Sequence, residues 1–149
     1  MNKKFVLIVA LIVALFSIGA ASAGFFDFLN FGHDSSDVDV VEDGEYCTVD
    51  EVSAYIKEFH KLPSNYITKS EARDLGWQGG PLKSYAPGKS IGGDTFTNRQ
   101  HVLPDSEDKY IECDINANGT SRGAERIVYN SGDYKVYYTD DHYNTFTEV

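Results

Sequence analysis

The chain has 149 residues, enough for one domain and short for two. Its 23 Asp and Glu against 13 Lys and Arg leave a formal net charge of −10. That field repels polyanions and excludes nucleic-acid binding by bulk charge, so any contact with RNA needs a locally basic site.

Lys3 and Lys4 precede an apolar run from Phe5 to Phe16, and Ala21-Ser22-Ala23 follows. A basic start, an apolar stretch and a small-residue cleavage pattern predict a secretory signal peptide over residues 1–23, hence a secreted, extracellular protein. An uncleaved membrane anchor competes, because residues 5–23 approach spanning length. Ser17, Gly19 and the Ala-x-Ala site favour cleavage. Losing residues 1–23 removes two lysines and no acid, so 11 basic and 23 acidic groups remain, a net of 11 − 23 = −12.

Residues 24–44 read as a leader. Gly24 to Phe31 is oily and suits a membrane or an apolar surface. His33 to Asp43 is rich in Asp and Ser with no Lys or Arg, so disorder is expected there and His33 is read as solvated. The functional domain is expected over residues 45–149.

The first helix is predicted from Thr48. Thr48 and Glu51 form a capping box, and Val49, Val52, Tyr55, Ile56 and Phe59 share one face at helical spacing. His60 and Lys61 fall at its C-terminus, where the helix dipole favours cations, which gives His60 a structural role. Leu62-Pro63 ends it. A second helix is capped by Thr68 with Glu71 and stopped by Gly76. Lys69 then occupies the first helical position, which the dipole disfavours for a cation unless an anion binds there; a solvated lysine is the plain alternative.

Gly79-Gly80-Pro81 is a turn, with a short helical piece expected through Tyr85. Ala86 to Asp94 contains Gly88-Lys89-Ser90, but a phosphate-binding loop needs glycine where Lys83 stands. It reads instead as a turn-rich entry to a strand. From Tyr110 the period becomes two, with Ile111, Cys113 and Ile115 on one face and Tyr110, Glu112 and Asp114 on the other. Strands are also expected over Arg126–Tyr129, Tyr134–Tyr138 and Thr145–Thr147. Helices followed by a strand meander predict an α+β fold, with helices on one face of a twisted antiparallel sheet and the opposite face free for a site.

Two features of the C-terminal half compete for a chemical meaning. Asp114-x-Asn116-x-Asn118-Gly119, then Glu125 after five residues, formally matches a calcium loop; flanking strands and the cation of Arg122 argue against it. Asn118-Gly119-Thr120 is also a glycosylation sequon. Against these stand Glu112 on a strand, His142 at a loop, and Arg122 and Arg126 between them, the equipment for acid–base chemistry on an anion. No Cys or His spacing resembles a zinc site. Cys47 and Cys113 are compatible with one disulfide in an exported chain, and equally with two buried thiols.

From about Thr48 to Phe146 the chain resembles the small secreted bacterial ribonucleases of the barnase and binase type. The resemblance is carried by Phe59-His60-Lys61-Leu62-Pro63-Ser64-Asn65-Tyr66-Ile67-Thr68-Lys69-Ser70-Glu71-Ala72, Leu75-Gly76-Trp77, Ala86 to Asp94, Asp114-Ile115-Asn116 and Asp141-His142-Tyr143, all in family order. It implies an endoribonuclease needing no metal or other cofactor. Glu112 matches the general base, which takes the proton from the ribose 2′-hydroxyl. His142 matches the general acid, which protonates the departing 5′-oxygen. A 2′,3′-cyclic phosphate results, then a 3′-phosphate by slower hydrolysis. DNA lacks the nucleophile and is not expected to be cut.

By the same resemblance, Lys69, Arg122 and Arg126 surround the phosphate, and Phe96-Thr97-Asn98-Arg99 forms a guanine-reading loop. The family's next residue is a glutamate that accepts two hydrogen bonds from guanine; here it is Gln100. An amide offers one acceptor and a competing donor, so a weakened guanine preference is expected. Tyr143 matches a residue beside the bound base. A monomer is expected, with RNA as substrate and an acidic protein inhibitor of the barstar type as partner. The alternatives are a non-catalytic exported RNA- or partner-binding protein, or a calcium-binding module.

Overall fold

The computed structural model describes residues 38–149. The expected signal peptide and the leader up to residue 37 lie outside the described residues. Helix α1, Val49–Phe59, starts where Thr48 takes an extended backbone and its side chain accepts from the Glu51 N–H. It ends at His60, which adopts φ 58° and returns its N–H to the Ile56 carbonyl. Helix α2 is only Lys69–Asp74, and both halves of the Thr68–Glu71 capping box are formed.

The strands are β1 Tyr66–Ile67, β2 Ser90–Phe96, β3 Tyr110–Asp114, β4 Arg126–Asn130, β5 Val136–Thr139 and β6 Thr147–Glu148. They form one six-stranded sheet in sequence order. β1 joins β2 in parallel, and every other pairing is antiparallel. This is the expected α+β arrangement.

The strand alternation of β3 and β4 sorts side chains between two faces. On one face Cys113, Ile115, Ile127 and Tyr129 pack with Val136, Tyr66 and the α1 residues Val52 and Ile56. Val52 and Ile56 are fully buried, each contributing about 1.5–3 kcal/mol by burial. On the other face Leu103, Tyr110, Val128 and Tyr137 form a smaller cluster against which Phe96, Tyr143 and Phe146 pack. A third cluster, Ala72, Trp77, Leu82, Ala86 and Ile91, seats α2 on β2.

Several local expectations are corrected. Residues 82–85 make turns, with Tyr85 and Ala86 both donating to the Leu82 carbonyl, and form no helix. The last strand begins at Thr147, because Thr145 is held by Asp141 in the preceding loop. Residues 38–44 are folded onto the domain: the Tyr55 hydroxyl donates to the Glu42 carbonyl, Lys61 pairs with Glu42 at 2.9 Å, and the Val41 N–H donates to the Tyr46 hydroxyl at 3.0 Å.

Cys47 and Cys113 are both free thiols in this structure. The Cys47 carbonyl accepts from the Asn116 N–H at 2.8 Å, which registers Cys47 three residues beyond Cys113. Cys113 instead packs in the core with Tyr66, and burial pushes its thiol ionisation well above the usual range.

Candidate active site

The open face of the sheet presents its polar residues in rows set by strand register. Asp94, Glu112, Val128 and Tyr137 stand side by side across β2 to β5, and Asp114, Arg126 and Thr139 form the next row. Gly93, at φ 107°, supplies the bulge where the β2–β3 register shifts between Gly92 and Asp94. Only glycine takes that conformation without strain.

Like charges opposite one another destabilise a sheet, and Asp94 and Glu112 are such a pair. Lys69 resolves the conflict. Its backbone N–H donates to Asp94 Oδ2 at 3.0 Å, and its Nζ lies 3.2 Å from Glu112 Oε1. The lysine that looked misplaced at a helix start is therefore fixed between two carboxylates, with the α2 N-terminus behind it.

Asp114 organises the other cations. Arg122 donates to it through Nε at 2.6 Å and Nη2 at 3.1 Å, and its guanidinium lies 5.6 Å from the Trp77 ring centroid. The hydrogen bonds to Asp114 push the Arg122 ionisation upward, so its charge is permanent. Arg126 is buried at 4% exposure; Nη1 donates to the Gly123 and Glu125 carbonyls. Its Nε approaches Asp114 Oδ1 at 3.0 Å without the alignment of a hydrogen bond, a contact of charge alone. One buried carboxylate thus holds two arginines in place.

The calcium reading fails on this donor set. Asp114 is committed to two arginines, and Glu125 accepts from Asn116 at 2.8 Å and from the Tyr138 hydroxyl at 2.7 Å. No group of three or more candidate metal ligands occurs among the described residues.

His142 and Tyr143 lie in the loop after β5, both with left-handed backbone at φ 56° and 73°. His142 is exposed and lines two cavities. One, of about 520 Å³, is bordered by Gly80, Pro81, Arg122 and Arg126. The other, of about 270 Å³, is bordered by Phe96, Thr97, Asn98, Arg99, Gln100 and Tyr143. The Tyr143 hydroxyl sits beside Glu112 and Arg126, and burial followed by the Glu112 charge pushes its ionisation well up. Its ring stacks on Phe96 with centroids 5.1 Å apart.

The loop lining the smaller cavity is closed by Asn98. Its side-chain amide donates to the Leu103 carbonyl at 2.9 Å, and its Oδ1 accepts from the Leu103 N–H at 3.1 Å. Buried Leu103 anchors the far end. Of the residues singled out from the sequence, Phe96, Thr97, Asn98, Arg99, Gln100 and Tyr143 line the smaller cavity, Arg122 and Arg126 line the larger, and His142 lines both. Lys69 and Glu112 line neither and pair with each other on the sheet. Sequence reasoning missed Asp94, Asp114 as the arginine clamp, and Asp141. The two-residue period on β3 already placed Asp114 beside Glu112 and was the available signal.

Fold and site together define a small α+β domain whose sheet carries a carboxylate, a lysine and two clamped arginines, with an aromatic-walled cavity beside His142. Residues 49–149 match a protein-family model described as ribonuclease. Over 105 residues the chain is 49% identical to a ribonuclease of Bacillus intermedius, covering 68% of this chain and 64% of that protein. It is 48% identical over 105 residues to a ribonuclease of Heyndrickxia coagulans, covering 68% of this chain and 95% of that one. A guanyl-specific ribonuclease St of Saccharopolyspora erythraea is 41% identical over 56 residues, 36% of this chain and 54% of that protein. The chain thus spans just under two thirds of the Bacillus relative's length. It belongs to the ribonuclease family.

Proposed function

We propose that this domain is a metal-independent endoribonuclease that cleaves single-stranded RNA by transphosphorylation. The observation carrying the reading is the cleft itself: Glu112 held 3.2 Å from Lys69, with Arg122 and Arg126 clamped by Asp114 and His142 at its mouth. Glu112 removes the 2′-hydroxyl proton and that oxygen attacks the adjacent phosphorus. The two arginines and Lys69 stabilise the charge that develops on the phosphoryl oxygens. His142 gives its proton to the leaving 5′-oxygen, and a 2′,3′-cyclic phosphate forms. Hydrolysis to the 3′-phosphate exchanges the two roles.

The cavity walled by Phe96 and Tyr143 takes the base on the 5′ side of the broken bond, with a guanine preference that Gln100 weakens. Export, a monomeric state and an acidic inhibitor of the barstar type in the same cleft complete the proposal. Mass analysis of the protein from culture medium checks the first. Gel filtration alone and with such an inhibitor checks the others.

The decisive assay is RNA cleavage in EDTA, with 2′,3′-cyclic phosphate as the product sought. Glu112→Ala and His142→Ala should each lose about a hundred- to ten-thousandfold in rate. Full activity in either variant, or loss of activity in EDTA, would end the corresponding assignment.

A further inference from the structure

We propose that Asp141, through a hydrogen-bonded brace with Thr139 and Thr145, is the positioning residue that aims His142 at the leaving oxygen. The inference rests on the ribonuclease reading and extends it to a residue outside the cleft. Two consecutive non-glycine residues in the left-handed region, His142 and Tyr143, persist only where the surroundings over-determine the backbone. One side chain supplies three bonds of that constraint. Asp141 Oδ1 accepts from the Thr139 hydroxyl at 2.8 Å and the Thr145 N–H at 2.9 Å, and Oδ2 accepts from the Thr145 hydroxyl at 2.5 Å.

Thr139 is 1% exposed at the end of β5, so the brace is anchored in the sheet. Its hydroxyl oxygen accepts from the Asp141 N–H at 3.3 Å and the Tyr143 N–H at 3.2 Å, which spans the strained pair. On the other side the His142 N–H donates to the Ala124 carbonyl at 3.2 Å, tying the same turn to the arginine loop. These bonds, first those from Thr145, also hold the Asp141 carboxyl down at a pKa of about 2, so the brace is charged at neutral pH. Without the Asp141 carboxylate no side chain bridges Thr139 to Thr145, and only the bonds from the His142 and Tyr143 N–H groups hold His142 in the direction in which it faces both cavities.

A misaimed general acid has a signature that general loosening of the fold lacks. Protonation of the leaving oxygen matters for an alkoxide leaving group and hardly at all for a stable phenolate. The test therefore compares two substrates, a guanylyl dinucleotide and a guanosine 3′-(4-nitrophenyl phosphate), in wild type, Asp141→Ala, Asp141→Asn, Thr145→Val and His142→Ala. Each is assayed well below its own melting temperature. Asp141→Ala should slow the dinucleotide about ten- to a hundredfold, the size of effect that misplacement of a reacting group produces. The aryl ester should change by less than about twofold, the selectivity also expected of His142→Ala.

Thr145→Val should give a smaller loss with the same selectivity, and Asp141→Asn should restore much of the dinucleotide rate. Equal losses on both substrates, or no loss on either, would overturn the positioning role. A wild-type protein inactive on both would instead sink the ribonuclease reading.

Discussion

At the scale of single residues, the cleft is a set of charges that hold one another in place. Glu112 and His142 were legible because a carboxylate on an alternating strand and a histidine in a loop are unusual enough to notice, and the family resemblance gave them partners. Asp114 and Asp141 were not legible as supports, since nothing in a sequence distinguishes a carboxylate that clamps two arginines from one that binds a metal. Gln100 is the residue at which chemistry and family pattern part. It lines the cavity proposed for the base, yet its amide supplies one acceptor where guanine's N1–H and amino group ask for two. Gln100→Glu should therefore raise the ratio of kcat/KM on matched GpN and ApN dinucleotides by about ten- to a hundredfold, since hydrogen bonds to a charged acceptor contribute about 1.5–3 kcal/mol. A wild-type ratio already large, and unmoved by the substitution, would show that the backbone of residues 97–100 reads the base alone.

At the scale of elements, the helices were the most readable parts because their start signals are local. Thr48 and Thr68 cap both N-termini in the fold, as read from the sequence, but only Thr68–Glu71 closes a full capping box; Glu51 accepts from the Thr48 hydroxyl rather than from its N–H. Strand β1 went unseen: a two-residue parallel strand has no period to detect, and only β2 defines it. The stretch through Tyr85 reads as a helical piece but forms turns, because one helical hydrogen bond needs the same local sequence as the first of many. Helix α2 depends on its capping box more than α1 depends on its cap, since six residues cannot sustain a helix by themselves. Its first residue is Lys69, so the cap also sets where that ammonium stands. Thr68→Ala should cost about 1 kcal/mol in urea denaturation and lower kcat/KM as well. Lost stability with unchanged kcat/KM would mean that the bonds from Lys69 to Asp94 and Glu112 position it without help from the helix.

At the scale of the whole molecule, the chemistry asks for an anion that the net charge repels. Residues 45–149 hold 11 basic and 17 acidic groups, and three of the acids, Asp105, Glu107 and Asp108, are exposed in the loop between the base-cavity segment and β3. They border a second depression that shares Phe96, Thr97 and Asn98 with the base cavity. On the proposed function, a long RNA approaching over this loop would pass an acidic rim before it reached Lys69, Arg122 and Arg126. A dinucleotide is too short to reach both the cleft and the rim on that path. Rim repulsion and cleft attraction are both screened by salt, and they act in opposite directions on the rate of capture. The kcat/KM on polymeric RNA should consequently change by less than about threefold between about 20 and 200 mM salt, against the steep fall expected of a uniformly basic surface. Replacing the three acids together by lysine shifts the rim by six charges and removes the opposition. That variant should capture polymeric RNA about tenfold faster at low salt and lose the gain as salt rises, while cleaving the dinucleotide at the wild-type rate. Equal gains on both substrates would place the three acids within reach of the reacting phosphate. No gain on either would mean that RNA approaches from the Arg122 side, away from this rim.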